Sequence, residues 1–226
     1  MKRVVISWSG GKDCCMCLDR VIQKGYQVVG FITMVTDVFK RTCAHGISID
    51  VVKMQAEALQ IPVTFVNSTP DYENQFVNAL IDIKENQNID TVIFGSLYVE
   101  ADRQWNKQAT AKAGLNSEFP LWIHSNDVSQ LVKEWLQSGY QAIICRAKDG
   151  CLDKSWVGKS LSTNFFNQVT NSAICPMGEM GEFHTIVVDG PLFKKRLDLT
   201  HTDIVLNSGL WSLDIKGAKL AVNDLN

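Results

Sequence analysis

The chain has almost no excess charge, no long apolar run and no balanced cysteine framework, and each lack excludes a class of protein. Its 22 Lys and Arg stand against 24 Asp and Glu, a formal net charge of -2, so the broad positive field that grips a phosphate backbone is missing and nucleic acid is not an expected partner. The opening MKRVVISW is basic and then apolar, but SGGKD interrupts it after about five apolar residues, too few for a signal peptide or a membrane span. A cytoplasmic protein with no membrane partner is expected. The seven cysteines are odd in number and three crowd into Cys14-Cys15-Met16-Cys17, which favours reduced thiols over a disulfide scaffold. No repeat, low-complexity tract or disordered linker breaks the 226 residues, a length that suits one large domain or two small ones.

What is present is a rhythm. RVVISW (3–8) is β-branched and aromatic, the stretch from Cys14 to Lys24 has helical spacing, and Gly25 stops it. QVVGFITMV (27–35) predicts a second strand. IDVVKMQAEALQ predicts a helix in which Ile49, Val52, Ala56 and Leu59 share a face before Pro62. PVTFVN as a strand, DYENQFVNALIDIKEN as a helix capped by Asp71 or Thr69, and TVIFG as a fourth strand continue the alternation. Strands separated by helices in this way predict an α/β protein whose parallel sheet is covered on both faces. Ligands of such sheets sit beyond the strands' carboxyl ends, which puts loops 9–13, 36–46, 67–70 and 95–103 on one edge. After Pro120 come LWIH, a helix near 126–138, a strand QAIICRA, the stretch KDGCLDKSWVGKSLS, and then FHTIVVDGPLF and HTDIVLNS as strands with no helix between them. That pattern predicts a smaller lobe with mixed or antiparallel pairing, and a boundary near residue 120 divides 1–120 from 121–226.

Ser9-Gly10-Gly11-Lys12-Asp13 falls where the first strand meets the first helix, so backbone N–H groups and the helix N-terminus would face an anion. It is not a Walker loop: Asp13 follows the lysine where Ser or Thr is required, and Ile6 stands where the leading glycine belongs. Nor is it a GxGxxG fingerprint. A tight turn with no ligand is the plain alternative. Cys14 and Cys17 form a C-x-x-C at a helix N-terminus, where thiolate is favoured, but small apolar residues packing a helix on a sheet explain them better. A metal would want a second matched pair, and Cys43 with His45 is the nearest approach to one.

SGGKD after a first strand resembles the PP-loop of the N-type ATP pyrophosphatases, in the adenine nucleotide alpha hydrolase-like superfamily of Rossmann-like folds. Within it the chain is similar, over nearly its whole length, to the diphthine–ammonia ligase family. Ala44-His45-Gly46, with Gln55-Ala56-Glu57 downstream, resembles the family's histidine–glycine pair and Gln-Ala helix. Gly95 and Arg103 match a Gly-Asp and a following helical arginine, with Ser96 at the acidic position and Glu100 and Asp102 nearby. Leu152-Asp153-Lys154-Ser155-Trp156-Val157-Gly158 looks like Leu-Asp-x-x-Trp-x-Gly. Gly178-Glu179-Met180-Gly181-Glu182-Phe183-His184-Thr185 is similar to Gly-Glu-x-Gly-Glu-aromatic-x-Thr, and Asp189-Gly190-Pro191-Leu192-Phe193-Lys194 follows. Besides Ser96, two residues depart from the pattern. Cys14 stands where the loop continues with Ser or Thr, and His184 where members that make diphthamide often carry an acid, the His form resembling a bacterial branch.

The resemblance implies a HUP-type Rossmann-like sheet for ATP, a smaller C-terminal α+β lobe for substrate, and an enzyme using ATP and Mg2+. A substrate carboxylate attacks the α-phosphate, pyrophosphate leaves, and ammonia displaces AMP from the acyl-adenylate to give an amide. Ser9, Gly10, Gly11, Lys12, Asp13, Cys14, His45, Gly46 and Gly95 would then bind ATP, with Asp13 holding the magnesium. Arg103 would pair with the carboxylate or the α-phosphate. Glu179 and Glu182 would position ammonia or ammonium and accept its protons, and His184 would be a base or substrate contact. Without the resemblance, the two glutamates read equally as solvated loop carboxylates and His184 as a structural histidine. Trp122 and Trp156 read as packing residues. The acceptor is the diphthine side chain of translation elongation factor two, or a small-molecule acid such as a corrinoid side chain. A homodimer is expected only because two-fold assemblies are common. Two rivals come from other classes. A PP-loop tRNA-thiolation enzyme would use the cysteine cluster, but the chain has no added basic or zinc-ribbon domain; a non-catalytic ATP or AMP sensor would need the loop but not the Glu-x-Gly-Glu segment.

Overall fold

The computed structural model describes residues 1–36 and 40–222. The β-branched runs become β1 (Arg3–Ser7), β2 (Gln27–Val35), β3 (Val63–Asn67) and β4 (Thr91–Ile93), joined by α1 (Lys12–Gln23), α2 (Ile49–Leu59) and α3 (Tyr72–Gln87). α4 (Glu100–Lys112) then leads to β5 (Asn116–Glu118). All five strands pair in parallel in the order β3-β2-β1-β4-β5. Sequence alternation predicts four; Asn-Ser-Glu has no apolar period to announce the fifth.

The pleat sorts side chains between two cores. Val4 and Ile6 join one core with α1 and α2, while Val5 between them joins another with Phe76 and Leu80 of α3 and Ala109 of α4. A period of two along the strand thus puts helices on both faces. Local signals set the helix starts: the Ser48 side chain accepts from Val51 N at α2, and the Asp71 side chain accepts from Asn74 N at α3, so Asp71 and not Thr69 is the cap. α1 opens at Lys12, two residues before the helical spacing becomes legible. Strand order reverses between β1 and β4, the switch point at which such sheets take ligands. Loops 9–13 and 95–103 lie there side by side, close enough that a Cβ on Gly95 would sit 3.2 Å from the Asp13 Cβ. Of the 36–46 loop, positions 37–39 lie outside the described residues.

The second half contributes α5 (Val128–Gln137), β6 (Gln141–Lys148), α6 (Thr163–Val169), β7 (Phe183–Asp189), β8 (Lys195–Asn207) and β9 (Leu210–Val222). Its four strands pair antiparallel in the order β7-β6-β9-β8. Three differences from the sequence expectation have a physical cause. β7 stops at Asp189, where Gly190-Pro191 cannot continue a strand, and β8 begins at Lys195, ahead of His201. β9 carries no clean alternation, since most of its residues are half-exposed. Ser208 and Gly209, with φ of 49° and 75°, turn β8 into β9 as a two-residue hairpin.

This second sheet covers the α1 side of the first. Trp8, Leu18, Ile144, Phe165, Val187 and Ile215 belong to one buried core, which runs through both halves. No helix among the described residues is long and apolar enough to cross a membrane.

Candidate active site

β1 ends in the interior and the chain must turn at once into α1. Gly10 adopts φ +82°, a conformation that costs only glycine little, and a Cβ there would stand 2.5 Å from Gln55 Oε1. Gly11 needs room instead: a Cβ on it would lie 2.9 Å from His45 Nε2 and 3.1 Å from the Thr185 carbonyl oxygen. The second half holds this loop from behind. Val187 N donates to Gly10 O (2.9 Å), Lys12 N donates to Thr185 Oγ1 (3.1 Å), and Gln55 Nε2 donates to both Gly10 O (2.9 Å) and Val187 O (2.7 Å). Gln55 is fully buried; the signal for it is a polar residue between Val52 and Leu59 on the inward face of α2. Inside the loop Ser9 Oγ accepts from Gly11 N (3.3 Å) and Cys14 Sγ donates to Gly11 O (3.0 Å). Burial pushes the Cys15 and Cys17 thiols well above the usual range.

The charged groups at the crevice come from both halves. Lys12 is only 3% exposed, its Nζ 2.9 Å from Asp13 Oδ2 and 5.3 Å from the Phe183 ring centroid. The other Asp13 oxygen, Oδ1, is buried without a partner. Glu179 reaches in from the segment before β7, its Oε1 accepting from Leu97 N (2.8 Å) in the loop after β4. Burial pushes its carboxyl up to about 7, with the Leu97 N–H opposing the rise and the Asp13 charge adding to it. Its Oε2 has no protein hydrogen bond among the described residues. Glu182 is placed differently: Oε1 accepts from Cys175 N (2.8 Å) and Oε2 from Met180 N (3.0 Å), so this carboxylate ties its own loop together.

His45 and His184 meet edge to face, ring centroids 4.6 Å apart. Burial holds both imidazoles below the ordinary range, His184 down to about 4, and the neighbouring charges of Lys12 and Arg146 act in the same direction. Both are therefore neutral at pH 7. The Nδ1 of His45 is buried without a partner. Gly46, next to it, lies against the guanidinium of Arg146, a residue that QAIICRA marks only as one cation in an apolar strand. Arg103 lies over the rings of Trp122 (4.4 Å) and Phe119 (5.7 Å) and 3.5 Å from Glu100, with its Nε buried and without a partner. Trp122 thus carries a cation as well as packing, while Trp156 packs edge-on against Phe165 (5.1 Å). The fold brings Ser9 to Cys14, His45, Gly46, Gly95, Glu179 and His184 to one edge; Arg103 rests on Phe119 and Trp122, and Glu182 ties its own loop. Among the described residues no three His, Cys, Asp or Glu side chains gather into a metal cage, Cys43 and His45 included.

Two family models divide the chain between them: residues 1–117 match the diphthamide synthase N-terminal domain and residues 127–220 the diphthamide synthase C-terminal domain. The chain belongs to the diphthamide synthase family. A relative from Schizosaccharomyces pombe, named diphthine–ammonia ligase, is 27% identical over 222 residues, which cover 88% of this chain and 36% of that protein. A Danio rerio protein of the same name is 25% identical over 232 residues, covering 91% of this chain and 89% of its own length. The chain thus spans little more than a third of the first relative and most of the second. A solved structure titled as a predicted subunit of tRNA methyltransferase from Methanocaldococcus jannaschii is similar at a TM-score of 0.39 and 12% identity, covering 69% of this chain and 84% of that one, too slight a likeness to bear on function. The diphthamide synthase matches include both the Ser9–Asp13 loop and the Gly178–Thr185 segment, the two stretches that meet at the crevice.

Proposed function

We propose that the protein is an ATP-dependent, AMP- and pyrophosphate-forming ligase that adenylates a carboxylate and converts it to an amide with ammonia. One observation carries the reading: buried Lys12, paired with half-buried Asp13 at the N-terminus of α1, shares its crevice with Glu179, a carboxyl brought to about 7. Residues 1–120 hold ATP in this reading, and 121–226 serve the acceptor and ammonia. The α1 N-terminus and Lys12 supply positive potential to phosphate oxygens. Asp13 Oδ1, an acceptor buried without a partner, fits a magnesium ion whose other ligands are phosphate oxygens and water; the ion, when bound, neutralises charge on the leaving pyrophosphate.

The acceptor carboxylate bonds to the α-phosphorus as the bond to pyrophosphate breaks. Ammonia nitrogen then bonds to the acyl carbon as the bond to AMP breaks. Ammonium must lose one proton before attack and a second on becoming an amide nitrogen. Glu179 Oε2 is the acceptor for these protons, since a base near neutral pH is both available and strong enough. His45 and His184 contribute hydrogen bonds without charge, and Glu182 shapes the loop that presents Glu179. Ammonia-ligase chemistry is common to both kinds of acceptor: the relatives' name points to diphthine, whereas His184 in place of an acid favours a small-molecule acid.

The test is product analysis with MgATP, ammonium and either diphthine-bearing elongation factor two or a metabolite extract. AMP and pyrophosphate should appear only with acceptor present, and Asp13→Ala should lower the yield by roughly 10²-fold or more. Formation of ADP and phosphate instead would overturn the assignment of the bond broken.

A further inference from the structure

We propose that Arg146 is the docking residue for a carboxylate of the acceptor, an inference that rests on the ligase reading and deepens it. Arg146 lies on β6, paired with His184 on β7 and with Ser212 on β9. Its guanidinium is fixed from three sides. Nε donates to Ser212 Oγ at 3.1 Å, Nη1 donates to the Ala44 carbonyl at 2.5 Å, and the group fills the space over Gly46, where any side chain would collide with Nη2. Gly46 also has φ +69°, so conformation and space both require glycine there. A long, flexible cation has been made rigid, which is costly unless its direction matters.

The fixed guanidinium has no counter-charge. Neighbouring cations are paired, Lys12 with Asp13 and Arg41 with Asp214, yet Arg146 has no acidic partner among the described residues. His184 across the strand pair and His45 beside it are neutral and cannot supply one. Of the five N–H donors of a guanidinium, only two are engaged. A guanidinium already partly desolvated, with donors to spare, recovers part of that cost by binding an anion, and none of the described residues supplies one. Arg146 grips the backbone on both sides of His45, and the His45 ring reaches Gly11 of the phosphate loop. An anion held by Arg146 is therefore adjacent to the nucleotide, while the loop and the α1 N-terminus already serve the phosphates. A planar fork with free donors matches a carboxylate bidentately.

The experiment separates carboxylate from phosphate without turnover. Magnesium α,β-methylene ATP, which does not split at that position, is titrated first, and glutarate second as a probe carboxylate, with the Arg146 side-chain Nε–H followed by NMR. Glutarate should bind saturably to the nucleotide complex and shift that resonance. Arg146→Gln should weaken glutarate at least tenfold while nucleotide affinity stays within twofold, which also shows that the variant is folded. His184→Glu, which sets a carboxylate across from Arg146, should abolish glutarate binding with Arg146 still in place. A tenfold loss of nucleotide affinity in Arg146→Gln would assign the residue to phosphate. Absence of saturable glutarate binding in the wild type, or equal binding in Arg146→Gln, would remove the docking role. Failure of the ligase reading would show in the AMP and pyrophosphate assay and leave both titrations untouched.

Discussion

Glu179 and Glu182 are three residues apart and identical in chemistry, and their surroundings give them different work. Glu182 spends both oxygens on its own loop, whereas Glu179 has one oxygen on Leu97 N and one free, in a setting that pushes its carboxyl up to about 7. At fixed free ammonia, turnover should rise through pH 7 as Glu179 ionises; Glu179→Gln should remove that rise and lower the rate by roughly 10²- to 10⁴-fold. Pyrophosphate release across pH 6 to 8.5 measures it, and a Gln variant that kept the rise would take the base role away from Glu179. The same shift affects stability. Between the usual 4.5 and about 7 the unfolded chain has lost the Glu179 proton and the fold retains it, so stability falls as pH rises, by at most roughly 3 kcal/mol. His184 acts in the opposite sense: between about 4 and the usual 6.5 the unfolded chain binds a proton that the fold refuses, so stability rises with pH. The two slopes oppose each other from about 4.5 to 6.5. Glu179→Gln leaves the histidine slope alone, and urea midpoints at pH 4.5, 5.5 and 6.5 should then climb more steeply than in the wild type.

At the scale of elements, β7 acts as the back wall of the Ser9–Asp13 loop, and Gln55 of α2 is the clamp between them. Gln55→Leu keeps the volume but leaves Val187 O without the Gln55 donor and Gly10 O with Val187 N alone. The expected cost is about 2 kcal/mol, that of a buried acceptor left unmatched, together with weaker nucleotide binding because the loop loses a restraint. Urea denaturation and a nucleotide titration check the two parts, and a variant unchanged in both would show that the loop is set without the clamp. This layer of the molecule is the one least written in the sequence. β1 to β4 and their helices are legible because burial on one or two faces leaves an apolar period; β5, at a polar edge, and β9, half-exposed along most of its length, leave none. The SGGKD turn is legible as a loop because a glycine pair followed by Lys-Asp interrupts both the strand and the helical period. Arg146 is not legible, because what distinguishes it, a cross-strand histidine and the bare backbone of Gly46, is brought to it only by pairing across distant segments.

Taken whole, the molecule has two sheets but not two independent interiors. The α1 and α2 side of the first sheet is buried by β7, β9 and α5, and Lys12 lies against Phe183 while Glu179 lies against Leu97. Cutting near residue 120 would expose that apolar face on one side and leave the crevice without its opposite wall on the other. Thermal unfolding should therefore be a single transition with equal calorimetric and van't Hoff enthalpies. A fragment of residues 1–120 should fail to fold alone, seen as loss of dispersed amide resonances. Magnesium α,β-methylene ATP at about 100 times its Kd should raise the one midpoint, in keeping with about 2.7 kcal/mol of linkage stabilisation. Two separate transitions, with nucleotide shifting only one of them, would mean that the shared core does not couple the halves and that the division at 120 is physical. A single shifted transition would mean that nucleotide bound at the loop also stabilises the strands carrying Glu179, His184 and Arg146, so that the proposed acceptor and nucleotide sites are coupled through the core they share.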